Sequence, residues 1–345
     1  MQDGADNGRV LPSDTPLVTV IVPARNEEAS IRACLDSILH QTVPLEDVQI
    51  IVAAGGSDDR TAAVARCMLE TSGIGDWVVI EDTSGDTPSN LNAGLAHARG
   101  MFVARVDARS RIPVDYLATC SMILERRADV AVVGGRQHAI AETTSATTAV
   151  GIKRSLNNPI STGWARYRRS GTSGPADTVY LGFFRRCDLV ELGGWDPRLL
   201  TNQDFDLNRR LSARGDVWYE ASLLVDYVPR TSFRDLAVQY HRFGRWKVRY
   251  WRTTRDRPRL RQLALLSGGV LILILGPFVM VRMLRQRSGW LLLCATGLGM
   301  VAAERHGDDE ADPLIASVAS IGASGVVGIS WLAGIARELV ARSAD

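Results

Sequence analysis

The stretch IIVAAGGSDDRT, residues 50–61, decides the fold class. It begins as an apolar strand, turns at a pair of glycines, and continues into a segment whose two aspartates can cap a helix. A buried strand that turns sharply into a helix is the usual construction of a nucleotide-binding corner. Ala53 and Ala54 stand where such a corner normally presents a carboxylate. Either a nucleotide site has lost one ligand here, or the corner serves another purpose.

Apolar strands alternate with helix patterns between residues 17 and 230. Strands are predicted at residues 17–23, 48–54, 76–82 and 101–107, and helices at 27–40, from 58 onward and at 89–100. Strands separated by helices indicate an α/β fold with a doubly wound mixed sheet that is mostly parallel. Such sheets bind ligands at the carboxyl ends of their strands. Those ends carry Pro23, Ala54, Glu81, Asp82 and Asp107.

The composition limits the classes of function. Of the 345 residues, 46% are hydrophobic, which is enough for a large core, and the net charge of +2 gives no bulk attraction to nucleic acid. The five cysteines are scattered, odd in number and without C-x-x-C spacing, so we expect a reducing compartment and neither a zinc site nor a disulfide framework. Residues 1–16 are polar and lack the apolar core of a signal peptide, which predicts a disordered lead.

The last quarter of the chain holds three uncharged runs, at residues 263–281, 288–303 and 314–336. A spanning helix needs roughly 20 apolar residues, so residues 263–338 are predicted to form two or three membrane helices before a tail at 339–345. The number stays open because three spans would oppose the positive-inside tendency. The expected location is the inner membrane, multi-pass, with the domain at 17–230 in the cytoplasm.

A basic, aromatic segment at residues 231–262 precedes these runs. From Arg230 to Arg261 eleven Lys and Arg residues stand against two Asp residues. Within it, QYHRFGRWKVRYW at residues 239–251 interleaves aromatic and cationic side chains at helical spacing. The pattern is typical of an interfacial helix on anionic lipid, and it is compatible with a clamp for an acceptor or a phosphate. Nucleic acid is disfavoured because the segment adjoins the membrane runs.

Asp107 ends an apolar strand in the stretch RVDARS. A carboxylate there is badly placed for packing and well placed to hold a divalent cation against a diphosphate, since Mg²⁺ or Mn²⁺ needs only one or two carboxylates beside phosphate oxygens. The alternatives are a helix cap or an ion-pair partner for Arg105 or Arg109.

The stretch GGWDPRLLTNQDFDLNRRL, residues 193–211, holds a second pair of carboxylates. Asp204 and Asp206 are predicted at a helix start, where they either favour the helix dipole or supply a general base facing a pocket. Trp195 follows two glycines, so it either presents an aromatic face to a sugar ring or packs in the core.

Seven stretches in this order resemble the family 2 glycosyltransferases. They are VTVIVPARNEE, GGSDDRT, LNAGLAHARG, RVDARS, DTVYLGFFRR, GGWDPRLLTNQDFDLNRRL and YHRFGRWK. The resemblance covers about residues 18–251, and with the apolar tail it is similar to the succinoglycan-type membrane glucosyltransferases of bacteria. It implies an inverting enzyme of GT-A fold.

Carried over by position, the resemblance also implies the site residues. The donor-binding positions are Pro23, Ala24, Arg25, Asn26, Glu27, Ala54, Asp59, Asn92, Gly94 and Arg105. Asp107 would bind Mg²⁺ or Mn²⁺, and Asp204 would be the catalytic base. The acceptor or diphosphate positions are Trp195, Asp196, Gln239, Arg242, Arg245 and Trp246.

The chain departs from the family pattern at three places. Ala54 replaces the first Asp of the glycine turn, Gln203 replaces the Glu before the base, and the Q-x-x-R-W motif is interrupted because Phe243 follows Arg242. The first change weakens any inference to a uracil base, although Glu27 or Glu81 could supply the missing carboxylate.

The resemblance therefore implies transfer from a nucleotide-sugar donor to a lipid-linked or growing polysaccharide acceptor at the cytoplasmic membrane face. Membrane lipid and polysaccharide-assembly proteins are the other expected partners. A polyprenyl-phosphate sugar synthase and a non-catalytic subunit of a polysaccharide complex are the alternatives.

Overall fold

The computed structural model describes residues 15–142, 146–158, 161, 165–169, 171–255, 275, 278, 282, 285 and 313–341. The predicted lead lies almost wholly outside the described residues, as do the apolar runs at 263–281 and 288–303, so those predictions stay open. The chain divides into two compact units. The first includes residues up to Gly135, Thr172–Pro197 and Asp206–Val225, and the second includes Arg136–Gly171, Arg198–Phe205 and the residues from Asp226 onward. The domain boundaries expected from the sequence stay predictions.

Nine strands among the described residues form one mixed sheet. They are β1 (Val18–Pro23), β2 (Val48–Ala53), β3 (Trp77–Ile80), β4 (Phe102–Arg105), β5 (Ser110–Arg111), β6 (Val130–Ala139), β7 (Gly174–Pro175), β8 (Tyr180–Arg185) and β9 (Asp216–Tyr227). Their order is β3-β2-β1-β4-β8-β6-β9-β5, with β7 beside β9. β1 pairs in parallel with β2 and β4, and β2 with β3, whereas β8 runs antiparallel to β4 and β6. The predicted α/β class with a mixed, doubly wound sheet is confirmed.

The described helices lie between and after these strands. They are α1 (Glu28–Leu39), α2 (Thr61–Thr71), α3 (Thr87–His97), α4 (Tyr116–Arg126), α5 (Thr147–Asn157), α6 (Arg186–Glu191), α7 (Gln203–Leu211), α8 (Phe233–Thr254) and α9 (Pro313–Val340). Short 3₁₀ turns occupy Leu45–Asp47 and Arg166–Arg168.

The core of the first unit surrounds the central parallel strands. All six residues of β2 are buried, and so are the first five of β1, because both faces of a parallel sheet are covered by helices. Two buried polar side chains satisfy each other there: the Thr19 hydroxyl donates to Gln49 Oε1 at 2.7 Å. This continuous burial explains why the strands at 18–23 and 48–53 are readable from sequence as unbroken apolar runs.

The second unit contains the helices α5, α8 and α9. A small core joins them, formed by Ala139, Ile152, Leu156, Leu236, Ala323 and Val327. Within the described part of the chain one helix, Leu314–Val340, is long and apolar enough to cross a membrane. It contains the third apolar run predicted from the sequence.

Candidate active site

Three neighbouring strands end at one edge of the sheet. Pro23 of β1 stands beside Ala53 of β2, and Ile21 of β1 stands beside Arg105 of β4, all in parallel register. The strand order reverses between β1 and β4, since β2 and β3 lie to one side of β1 and β4 to the other. Doubly wound sheets bind their ligands at such a switch point, outside the carboxyl ends of the strands.

The loops after β1 and β2 are joined by hydrogen bonds. Asn26 has a φ of 55°, which is uncommon for a residue other than glycine. Its side-chain oxygen accepts from the Asp58 backbone N–H at 2.8 Å, and its own N–H donates to Ser57 Oγ at 3.2 Å. Arg25 Nε donates to the Gly56 carbonyl at 3.1 Å. The predicted donor loop is therefore held in one conformation by the glycine turn.

Asp59 contributes to the same framework. Its carboxylate accepts from the backbone N–H groups of Thr61 at 3.0 Å and Glu28 at 3.1 Å, so it links the starts of α1 and α2. Burial raises the pKa of this carboxyl, but the hydrogen bonds from Thr61 and Glu28 lower it by more, and the net pKa lies below its ordinary value. Arg60 is the N-cap residue of α2, and of the two aspartates predicted to cap this helix Asp59 accepts from its first N–H group, that of Thr61. The role of Asp59 toward a nucleotide stays a prediction.

The glycine turn is tightly packed against the loop after β3. A Cβ added to Gly55 would overlap the Thr83 side chain, and Gly56, with a φ of 67°, lies against Gly85. Ala54 is buried, and its N–H donates to the Ile80 carbonyl at 2.8 Å. The geometry of a nucleotide corner is retained, whereas the side chain at position 54 presents no polar group to it.

The carboxylate proposed to bind metal is paired with its neighbour. Arg105 donates from Nε to Asp107 Oδ1 at 2.7 Å and from Nη2 to Oδ2 at 3.2 Å. Arg105 is almost fully buried, whereas the Asp107 side chain keeps 31% of its surface exposed. Asp107 therefore forms an ion pair with Arg105, which was one of the alternatives to metal binding.

A divalent cation still fits Asp107. Among the described residues no group of three or more His, Cys, Asp or Glu side chains could hold a metal ion. Mg²⁺, however, is commonly held by one or two carboxylates together with substrate phosphates. Each carboxylate oxygen has a second lone pair, and the partial exposure leaves room for a ligand on the solvent side. The donor set suits a cation that arrives with a diphosphate.

Two other carboxylates at this edge of the sheet also form ion pairs with arginine side chains. Arg109 Nε donates to both oxygens of Glu27, at 2.9 and 2.8 Å. Glu81, the other candidate to replace the lost carboxylate at position 54, pairs with Arg66. The Glu27–Arg109 pair could not be predicted from the sequence, because no local pattern connects two residues 82 positions apart.

Three residues expected to face a ligand have structural contacts, and the donor-binding roles expected for Asn92 and Gly94 stay predictions. The Asn92 side chain donates to the Trp195 carbonyl at 2.7 Å and accepts from the Trp195 N–H at 2.9 Å. A Cβ on Gly94 would lie 2.5 Å from Ile21 Cγ2, so this glycine lets α3 approach β1 closely. Trp195 is 0% exposed and packs edge-on against Phe184, with ring centroids 6.0 Å apart. The sugar-platform interpretation of Trp195 is wrong, and the core alternative is correct.

The two carboxylates of α7 have different surroundings. Asp206 is buried and accepts from Arg210 Nε at 2.8 Å, while Arg210 also donates to the Gly194 carbonyl at 2.7 Å. Asp204 is partly exposed in the first turn of the helix, which begins at Gln203 as predicted. Since Asp206 is committed to fixing the glycine turn at 193–194, Asp204 is the better candidate for a base.

The acceptor residues predicted on α8 divide into two groups. Arg245 donates to Glu338 Oε2 at 2.8 Å, and Arg249 donates to Oε1 of the same carboxylate at 2.6 Å. Trp246 lies beneath the Arg249 guanidinium, 5.0 Å away. Arg242 is exposed, and Gln239 and Asp196 are partly exposed. Arg245 thus holds α8 to α9 through Glu338, and its role toward an acceptor stays a prediction.

Comparisons with known proteins identify a matching family model and several relatives of this chain. The family model described as "Glycosyl transferase family 2" matches residues 19–184. Succinoglycan biosynthesis protein ExoA of Rhizobium meliloti is 25% identical over 333 residues, covering 93% of this chain and 94% of that protein. A second relative, from Methanococcus voltae, is 26% identical over 236 residues, which cover 66% of this chain and 71% of that protein. It is named dolichyl N-acetyl-alpha-D-glucosaminyl phosphate 3-beta-D-2,3-diacetamido-2,3-dideoxy-beta-D-glucuronosyltransferase.

Among the solved structures similar to this chain is a mannosyltransferase from Pyrobaculum calidifontis in complex with GDP-Man and Mn²⁺, with a TM-score of 0.63 at 19% identity. The similarity covers 95% of this chain and 88% of that one.

Proposed function

Because this chain is a family 2 glycosyltransferase of GT-A fold, we propose that it transfers a sugar from a nucleotide diphosphate sugar to a lipid-linked or growing polysaccharide acceptor. The proposed reaction takes place at the cytoplasmic face of the membrane and inverts the configuration at the anomeric carbon. The observation that carries the proposal is the convergence of the β1, β2 and β4 ends on the Arg105–Asp107 pair.

The donor nucleotide would lie against the two loops joined by Asn26 and Arg25. These loops are fixed before any ligand arrives, so their backbone groups need no reordering when a nucleotide binds. Base selection would then depend on Glu27, which must partly exchange its Arg109 partner for a base or ribose hydroxyl. The buried methyl group of Ala54 supplies no such contact, and for this reason no particular base is specified.

Asp107 is the residue that would hold Mg²⁺ or Mn²⁺ against the diphosphate. When bound, the ion supplies Lewis acidity that stabilises the charge of the leaving group. Arg105 places a second positive group at the same edge and restrains Asp107 on both oxygens. The mannosyltransferase of the same fold contains Mn²⁺ with its donor, which supports the use of a divalent ion here.

Asp204 would accept the proton of the attacking hydroxyl while the glycosidic bond to the diphosphate breaks. It is suited to this role because it is partly exposed at a helix start, whereas the neighbouring Asp206 is buried with Arg210. A single displacement requires one base and no covalent intermediate, so one carboxylate is sufficient.

The test is a transfer assay on purified protein with a panel of nucleotide sugars and a lipid-linked glycan acceptor. Asp204→Asn should lower the rate by about 10²- to 10⁴-fold, the usual contribution of a general base, without loss of nucleotide binding. Asp206→Asn is the matched control, since it should lower the melting temperature through its Arg210 contact and leave transfer measurable. Near wild-type transfer by Asp204→Asn would refute the assignment of the base.

A polyprenyl-phosphate sugar synthase is the second candidate. The exposed guanidinium of Arg242 on α8 suits an acceptor that is itself a lipid phosphate. Such an acceptor is already an anion and needs no proton removed. Under this alternative, Asp204→Asn would keep most of its activity with polyprenyl phosphate and show none with a glycan acceptor.

A further inference from the structure

The apolar helix α9 exposes large apolar side chains along its outward face: Val318 and Ile329 are 58% and 60% exposed. Its inner face buries both apolar residues, such as Ala323 and Val327, and the polar residues Ser320 and Glu338. A surface helix of a water-soluble domain carries charged and polar residues on the face turned away from the core. The outward face of α9 therefore suits a surrounding of hydrocarbon.

The inner face of α9 is covered by two helices of the same unit. Ser155 of α5 and Ser324 of α9 share a hydrogen bond of 3.0 Å. A Cβ added to Gly244 of α8 would lie 2.1 Å from the Trp331 carbonyl oxygen, so the two backbones are in close contact there.

The contact between α8 and α9 extends along both helices. It begins where Phe233 lies beside Gly322 and continues to the pairing of Arg249 with Glu338. The sixteen steps from residue 233 to residue 249 correspond to about 24 Å of helix. Over this length α9 is accompanied by a strongly charged helix. The charged residues of α8 are Arg234, Asp235, Arg242, Arg245, Lys247, Arg249 and Arg252.

Such a helix cannot follow α9 through the hydrocarbon of a bilayer. Each Arg, Lys or Asp at the centre of a membrane helix is strongly unfavourable, and α8 carries them along its whole length. Glu338 compensates part of this charge, through Arg245 and Arg249. A spanning orientation of α9 would therefore require its contacts with α8 to be broken.

We propose that α9 lies in the plane of an anionic bilayer surface, with its outward face in the acyl region and α8 at the level of the headgroups. The occupant of the exposed face is thus phospholipid. Charge complementarity favours anionic lipid, because Arg234, Arg242 and Arg252 on α8 and Arg337 on α9 are exposed against one exposed acid, Asp235. This in-plane orientation is an alternative to the membrane-spanning orientation that the sequence predicts for residues 314–336.

The inference deepens the membrane location in the proposed function and does not depend on the chemistry of transfer. An in-plane helix would keep the second unit fixed at the depth where a lipid-linked acceptor presents its polar end.

Depth measurements along the helix test the orientation. Val318→Cys, Ile329→Cys and Leu339→Cys place single labels over 21 residues, about 32 Å of helix, in full-length protein whose Cys67, Cys187 and Cys294 are replaced by serine. The labelled protein is reconstituted into vesicles of phosphatidylglycerol and phosphatidylcholine that carry nitroxides at several acyl depths. Vesicles without nitroxide are the control.

An in-plane helix predicts the same shallow depth at all three positions, within about 5 Å. A spanning helix predicts that the label at position 329 lies near the bilayer centre, about 15 Å below each surface, and that the others are shallow; this result would overturn the proposal. Absence of quenching at all three positions would also overturn it, because the face would then be covered by protein. A nucleotide-binding assay on the same samples separates either failure from failure of the proposed function.

Discussion

Replacement of Arg105 by glutamine should tighten the binding of Mn²⁺. In the structure the guanidinium occupies both oxygens of Asp107, at 2.7 and 3.2 Å, and so competes with a cation for this carboxylate. A charge pair near 4 Å is worth about 4 kcal/mol at an effective dielectric constant of 20. Because the Asp107 side chain is 31% exposed, solvent screening reduces this contribution to about 1–2 kcal/mol. Affinity for Mn²⁺ without nucleotide should therefore rise by roughly 5- to 30-fold.

Electron paramagnetic resonance of free Mn²⁺ measures this affinity directly. Arg109→Gln is the matched control, because it releases Glu27 in place of Asp107 and should leave Mn²⁺ affinity unchanged. Sugar transfer by Arg105→Gln should fall despite the tighter metal, since a positive group near the diphosphate is lost. Unchanged or weaker Mn²⁺ binding by Arg105→Gln would refute the assignment of Asp107, and tighter binding by Arg109→Gln would move the metal site to Glu27.

Two further predictions concern residues whose role in the structure is to hold other residues in place. Trp195→Ala should destabilise the protein by about 3–5 kcal/mol because it empties a fully buried site beside Phe184; a raised KM with an unchanged melting temperature would restore the sugar-platform interpretation. Asp59→Asn should lose less stability than the wild-type protein when the pH falls from 7 to 3. The pKa of Asp59 is lowered by folding, so its contribution is present above the ordinary carboxyl pKa and is lost as the pH falls through the folded value. Urea titrations of both proteins at pH 7 and pH 3 measure the free energy of unfolding. An equal loss of this free energy in the variant and the wild-type protein would contradict the prediction.

The parallel half of the sheet was predictable because its signals are local. β1, β2 and β4 are apolar runs that end at Pro23, Ala53 and Arg105, within two residues of the predicted ends. Asp59 accepts from the N–H of Thr61 at the start of α2, a contact two residues away. Strands β6, β8 and β9 were not predicted one by one, because their pairing joins segments far apart in the chain.

The partners of the site residues were not predictable. Trp195 fitted either the core or a sugar ring until its contact with Asn92, 103 residues away, placed it. Asp204 and Asp206 were equivalent in sequence, and the structure separates them because Asp206 is buried and Asp204 is partly exposed. The sequence showed that the run at 314–336 is apolar, but it did not show that the charged helix α8 lies beside it. In each case the deciding contact joins residues whose proximity exists only in the folded chain.

Binding of nucleotide diphosphates in the presence of Mn²⁺ tests most directly the claim that the ends of β1, β2 and β4 hold the donor. Isothermal calorimetry with UDP, GDP and dTDP should detect at least one of them with the wild-type protein. The same titration with Asp107→Asn should show an affinity at least tenfold lower when Mn²⁺ is present and little difference when it is absent. No binding of any of the three nucleotides, or equal Mn²⁺-dependent binding by Asp107→Asn, would contradict the account.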